Sequence, residues 1–142
     1  MKGMPKMMVG LTSSSSAEVM KGCPKQAEGM IIPTSFAPIT AAAKEVAALA
    51  AANGGSADLH SAASWENVMI IKDVIEAVGI TGDPSKVKEE RAKIRDGLEA
   101  LETTEGLIGK VTRVQDEGEA LKPFVFVHAK NGNWEVLHDP RK

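Results

Sequence analysis

The chain has 142 residues, 43% of them hydrophobic, and a formal net charge of −2 from 17 basic and 19 acidic side chains. That suits one ordinary domain and excludes wholesale disorder, while the interspersed charges exclude the clustered Lys and Arg of a nucleic-acid surface. The single cysteine, Cys23, excludes an internal disulfide and a cysteine-based metal site.

The run KMMVGL (6–11) is short, apolar and closed by Gly10, and reads as a buried strand. Four serines follow, Ser13 to Ser16. A short helix is expected from Ser14 to Lys21, capped by Ser13 or Ser14 and stopped by Gly22 and Pro24. The segment EGMIIPTSF (28–36) reads as a second strand closed by Pro33. Strand, helix and strand in this order are the signature of a parallel-sheet unit.

ITAAAKEVAALAAANGG (39–55) predicts an alanine-rich helix ended by Asn53-Gly54-Gly55. Over 56–79, Val68, Ile71, Ile75 and Val78 recur at helical spacing, and Ile70 and Val74 widen the stripe. A third helix over 83–101 opens with Asp83 as N-cap and Pro84 in its first turn. Its apolar face is Val87, Ile94, Leu98 and Leu101, interrupted by Gly97, which costs about 1 kcal/mol relative to Ala. The remainder is β: GLIGKVTRV (106–114), a polar turn over 115–118, KPFVFVHAK (122–130) and NWEVL form a three-stranded meander. Its last turn, Asn131-Gly132, suits a type I′ hairpin, in which both central residues take positive φ. The helices present more apolar surface than the few strands can cover, so the chain reads as part of a larger α/β protein.

Residues suited to catalysis are scattered. His60, His128 and His138 lie on separate elements without metal-ligand spacing, and Cys23 has no histidine nearby in sequence. Glu89-Glu90 and Asp116-Glu117 read as solvated charge. No enzyme activity, metal or cofactor is expected. No apolar run approaches the roughly 20 residues that span a bilayer, and Pro5 and Lys6 interrupt the start where a signal peptide would need an apolar stretch.

DLHSAASWENVMIIKDVIEAVG resembles the C-terminal half of type I periplasmic solute-binding proteins, the branched-chain amino-acid-type receptors of ABC transporters. Asp58, Ala62, Ala63 and Val68 match that family's helix, His60 and Trp65 stand at its aromatic positions, and Glu66 replaces its usual Asp. MMVGLTSSSSAEVMKG with AEGMIIPTSF resembles its strand, loop, helix and crossover strand. TTEGLIGKVTRV through NWEVL resembles its closing hairpin. The likeness runs from about residue 6 to residue 138 and implies a partial type I fold, α/β in class. Residues 1–36 would belong to the second lobe, 37–105 to the helical part of the first lobe, and 106–142 to returning strands, a hairpin and the tail.

The resemblance implies the substrate-binding component of an ABC importer, periplasmic as a full-length receptor and acting with a membrane permease. It works by closure of two lobes over a small solute. This chain would be its C-terminal portion. The matching loop, Thr12, Ser13 and Ser14, would face the cleft. Thr12 stands where the family often carries an acid that pairs with a ligand ammonium, so its neutrality favours a carboxylic acid over an amino-acid-like compound. Ser13 and Ser14 are otherwise a polar, helix-capping loop. His60 is either a solvated residue near a helix start or a cleft residue at a family aromatic position, and Trp65 is expected in the first lobe's core. The alternative is an assembly domain without a ligand that dimerises through its helices; a homodimer is expected of the fragment.

Overall fold

A computed structural model describes residues 7–114 and 118–142. Lys6 of the expected first strand, the opening residues, most of the polar turn over 115–118, and the Asp116-Glu117 pair therefore lie outside the described residues.

The expected strand at 6–11 is reduced to one parallel rung. Gly10 N donates to Ile31 O and Ile31 N to Met8 O, both at 2.9 Å, while Met7, Val9 and Leu11 stay exposed. A three-residue 3-10 turn, Thr12–Ser14, leads to helix α1, Ala17–Gly22. Its cap is Ser16, not Ser13 or Ser14, because the Ser16 hydroxyl accepts from Glu18 N at 3.0 Å and the earlier serines are already folded into the 3-10 turn. Helix α2, Pro24–Ala27, leads to strand β1, Ile31–Thr34. Pro33 lies inside β1 instead of ending it. Ile31 turns its amide and carbonyl toward residues 8–10, so by strand alternation Pro33 faces the same outer side, where no donor is needed.

Three helices follow as expected. They are α3, Ala41–Ala52, capped by Thr40; α4, Leu59–Ala77; and α5, Val87–Glu99, entered through a 3-10 turn at Pro84–Lys86 that Asp83 caps. At the crossing of α4 and α5, a Cβ added to Gly97 would sit 2.8 Å from Val74 Cγ1 and 3.0 Å from Val78 Cγ1. The glycine that interrupts α5 is thus the contact that lets the helices approach. The stripe on α4 is only partly hidden: Val74 is buried, while Trp65, Val68 and Ile71 are 42%, 65% and 42% exposed. Trp65, expected in the core of the full first lobe, is half-exposed in this chain, and no described element covers that side of α4.

The β segment is two sheets, not one meander. Strands β2 (Thr103–Gly106), β3 (Gly109–Val114) and β4 (Glu119–Leu121) form one antiparallel sheet, and β5 (Val125–Lys130) and β6 (Asn133–His138) join β1 in the other. The Leu107-Ile108 pair, read as strand interior, is the β2–β3 turn. Both side chains are buried in a core with Phe36, Ala43, Val46 and Ala62. A second core joins Ile32, Ala37, Val125 and Val127, with Trp134 against it and Ile39 touching both. The Asn131-Gly132 turn has φ of 52° and 75°, as the hairpin signal requires.

Buried polar contacts tie α4 to the β2–β4 segment and the loop after α4 to α5. Glu66 on α4 accepts from Leu107 N at 2.6 Å and from the Lys122 ammonium. Glu90, read as solvated charge, is instead buried and accepts from the amide and hydroxyl of Thr81 and from Gly82 N. Those bonds hold its carboxyl below the ordinary value.

Candidate functional site

Where the two cores meet, a cavity of about 490 Å³ opens. One wall is the α1 side, with Ser15, Met20 and Lys21. The second is the end of β1 and the crossing that follows, with Thr34, Phe36 and Ala37, and the third is the start of α4 at Asp58. The β5–β6 hairpin closes it with Val127 and Trp134. The volume suits a small organic molecule, and apolar walls with a few polar groups are the usual make-up of such sites.

Each polar group owes its place to local folding. The Ser15 hydroxyl donates to Thr12 O at 2.8 Å and lies 3.1 Å from the Thr34 hydroxyl, which pins the serine loop to the end of β1. The tight Asn131-Gly132 turn brings Trp134 back over α1, where its indole N–H donates to Ser16 O at 3.2 Å. Asp58 caps α4: Oδ1 accepts from His60 N and Ser61 N, both at 3.0 Å, and the Ser61 hydroxyl accepts from Asp58 N at 2.8 Å. Its other oxygen, Oδ2, has one long contact, 3.4 Å from Ala17 N. Burial pushes the Asp58 carboxyl up, but the hydrogen bonds from Ser61, Ala17 and His60 outweigh it and hold the group below its ordinary value. Asp58 is therefore charged at neutral pH. Lys21 is paired with Glu18 at 2.7 Å, and that partner raises its pKa.

Thr12, Ser13 and Ser14 form the exposed 3-10 turn just outside the cavity wall, with Ser14 partly covered. Their neighbour Ser15 is the serine that lines the cavity. His60 is exposed as the second residue of α4, and Asp58 and Leu59 line the cavity in its place. The structure thus brings the serine loop and the start of α4 to one cavity, with Ser15 and Asp58 as the polar wall residues. The reciprocal Asp58–Ser61 cap was not read from the sequence, although the three-residue spacing of two capping side chains is its signal, whereas the return of Trp134 over Ser16 spans most of the chain and leaves no local signal. Among the described residues, no cluster of three or more His, Cys, Asp or Glu could hold a metal, and no helix is long and apolar enough to cross a membrane.

The family model described as periplasmic binding protein matches residues 2–133. The chain belongs to that family. Among curated proteins none matches it. A leucine-binding protein from Thermotoga maritima shares 21% identity at a TM-score of 0.74, covering 97% of this chain and 39% of its own. An extracellular ligand-binding receptor from Rhodopseudomonas palustris shares 15% identity at a TM-score of 0.79, with 96% and 42% covered. A solute-binding protein of an ABC transporter from R. palustris, solved in complex with benzoate, shares 16% at 0.66, with 84% and 32% covered. This periplasmic-binding-protein chain therefore spans about a third to two-fifths of the length of these structures and shares their α/β fold over that part. As a family, these proteins are solute-binding receptors.

Proposed function

We propose that this chain is the C-terminal portion of the solute-binding receptor of an ABC-type importer, and that the cavity holding Ser15, Asp58 and Trp134 takes a small carboxylic acid or amino-acid-like solute. The observation that carries the reading is the cavity's position. Its walls come from the strand-helix-strand segment and hairpin on one side and from the start of α4 on the other. Those segments fall on different sides of the proposed lobe boundaries, with 1–36 in the second lobe, 37–105 in the helical part of the first, and 106–142 returning. Two cores, one around Ile32 and Val127 and the other around Phe36 and Ala62, meet at this crossing, where Phe36 and Ala37 enter different cores and Ile39 touches both. A solute touching both walls favours the state in which they are close, which is how a closing receptor signals occupancy without chemistry. In this reading the full-length receptor is periplasmic and delivers its solute to a membrane permease.

The test is equilibrium binding to the 142-residue chain carrying Trp65→Phe, which leaves Trp134 as its only tryptophan. Small carboxylic acids and amino acids are titrated while fluorescence and melting temperature are followed. A saturable change for at least one compound is expected. No change in either signal at millimolar solute would refute binding by this chain.

One observation favours a second reading alongside the first. Trp65, Val68 and Ile71 make an exposed apolar row along α4, a surface that soluble chains tend to cover. Association of two copies through this row is the proposed alternative to a ligand role, and sedimentation at several concentrations checks it.

A further inference from the structure

We propose that the tail after β6 is a strap between the two sheets, and that Arg141, aimed by Asp139, sets how far the cavity walls part. This rests on the solute-binding reading and deepens it by naming a device that governs closure. The tail leaves β6, whose sheet carries the hairpin wall of the cavity, and turns back toward the other sheet. Buried Asp139 holds the guanidinium in a fork, with Nε at 2.7 Å and Nη2 at 2.8 Å, and also accepts from Arg141 N at 3.1 Å. The remaining guanidinium nitrogen, Nη1, donates to Ile108 O in the β2–β3 turn. Asp139 positions, and Arg141 ties.

The turn that Arg141 reaches is where the connections between the sheets are fastened. Leu107 O accepts from the Thr40 hydroxyl at the end of the crossing from β1 to α3. Leu107 N donates to Glu66, whose other oxygen takes the ammonium of Lys122, the first residue after β4. Pro123, next in that crossing, lies 3.3 Å from where a Cβ on Gly109 would stand, and Arg141 Nη1 lies 3.5 Å from the same point. Thr40, Glu66 and Lys122 hold the turn from its own side. Of these four, Arg141 alone reaches it from beyond the other sheet.

Two covalent crossings, 35–40 and 122–124, let one part of the chain rotate against the other about the line between them. A third tie restricts that rotation, and a forked, charge-assisted pair keeps its geometry better than a single neutral bond. The arrangement in which the strap is fastened is one with the walls close, since Ala17 N on α1 lies 3.4 Å from Asp58 Oδ2 at the start of α4. Cutting the strap removes that preference. A solute must then first bring the walls together, which lowers its apparent affinity.

The experiment places spin labels on Gln26→Cys in α2 and Asn67→Cys in α4, both exposed positions, in the 142-residue chain carrying Cys23→Ser. Label distances are measured without solute in that chain and after adding Arg141→Gln, Asp139→Asn or Arg95→Gln. The last is a control, because the Arg95–Asp96 pair is exposed on α5. Arg141→Gln and Asp139→Asn are expected to lengthen and broaden the distribution. The ratio of parted to close states should rise about tenfold, the loss of one hydrogen bond from a charged group. Arg95→Gln should leave it unchanged. Melting temperatures report folding, and Arg141→Lys, which keeps the charge without the fork, replaces any variant that does not fold and should lengthen the distance by less. A lowered melting temperature with unchanged distances would make the tail a stabilising clasp only and overturn the inference, as would an equal shift in Arg95→Gln. No solute is present, so failure of every compound to bind would strike the solute-binding reading and leave the distance result standing.

Discussion

Asp139 shows how one residue sets an acid limit. It is buried near the C-terminus, and its carboxylate accepts from Arg141 Nε at 2.7 Å and Nη2 at 2.8 Å, while Arg141 also donates to Ile108 O in the β2–β3 turn. The side-chain bond from Arg141 holds the Asp139 carboxyl at about 2, below its ordinary 3.8. A depressed native pKa means that the folded chain favours the ionised form. The stabilisation is complete above the ordinary value and is lost as the pH falls through about 2. Denaturant melts between those limits are expected to show a shallower acid slope for Asp139→Asn than for the unaltered chain. Gly97 gives a second prediction. Alanine there gains about 1 kcal/mol of helix propensity but drives a methyl into the stiff side chains of Val74 and Val78, an overpacking cost of about 1–3 kcal/mol. Gly97→Ala is expected to destabilise by about 1 kcal/mol in urea. The same change at Gly22, where an added Cβ meets nothing within 4 Å, is expected to be neutral or slightly stabilising.

The elements were legible in unequal measure. Helices α4 and α5 announce themselves by apolar spacing, α5 also by the cap at Asp83, and the β5–β6 hairpin by Asn131-Gly132. Gly132 has a φ of 75°, so Gly132→Ala is expected to cost about 1–2 kcal/mol, measured by thermal or urea unfolding. What local pattern hid was pairing. Leu107 and Ile108 look like strand residues because they are apolar, yet they are apolar because their turn inserts into the core beside Phe36 and Ala62. Ser13 and Ser14 look like caps, and only the 3-10 turn before α1 shifts that role to Ser16. The cavity was half legible. The serine loop and the start of α4 were both singled out, but the lining residues Ser15 and Asp58 depend on long-range contacts, such as Trp134 to Ser16, that a linear pattern does not carry.

The whole molecule follows from an imbalance seen first in composition, three long helices against short strands. The described fold answers it in part, with Val74 buried between α4 and α5 and Ala43, Val46 and Ala62 in one core. The outer row of α4 remains bare. Val68 is the most exposed member of that row, and Val68→Glu should cost the fold about 0.5 kcal/mol or less, as surface changes do. If two copies meet through α4, the same variant should shift a sedimentation profile toward monomer, and an unchanged profile would place any contact elsewhere.

Pro33 has a consequence at this scale. It occupies the outer margin of β1, one rung beyond the bonds that tie Gly10 and Met8 to Ile31. A foreign segment approaching along that margin meets a position with no amide hydrogen, so it cannot zip further and template a fibril there. The far border of the same sheet, at β6, keeps a regular ladder over 133–136 before the register shifts at Leu137. Any runaway stacking of copies through this sheet must therefore begin at residues 133–136, and a proline placed in that ladder would close the second door.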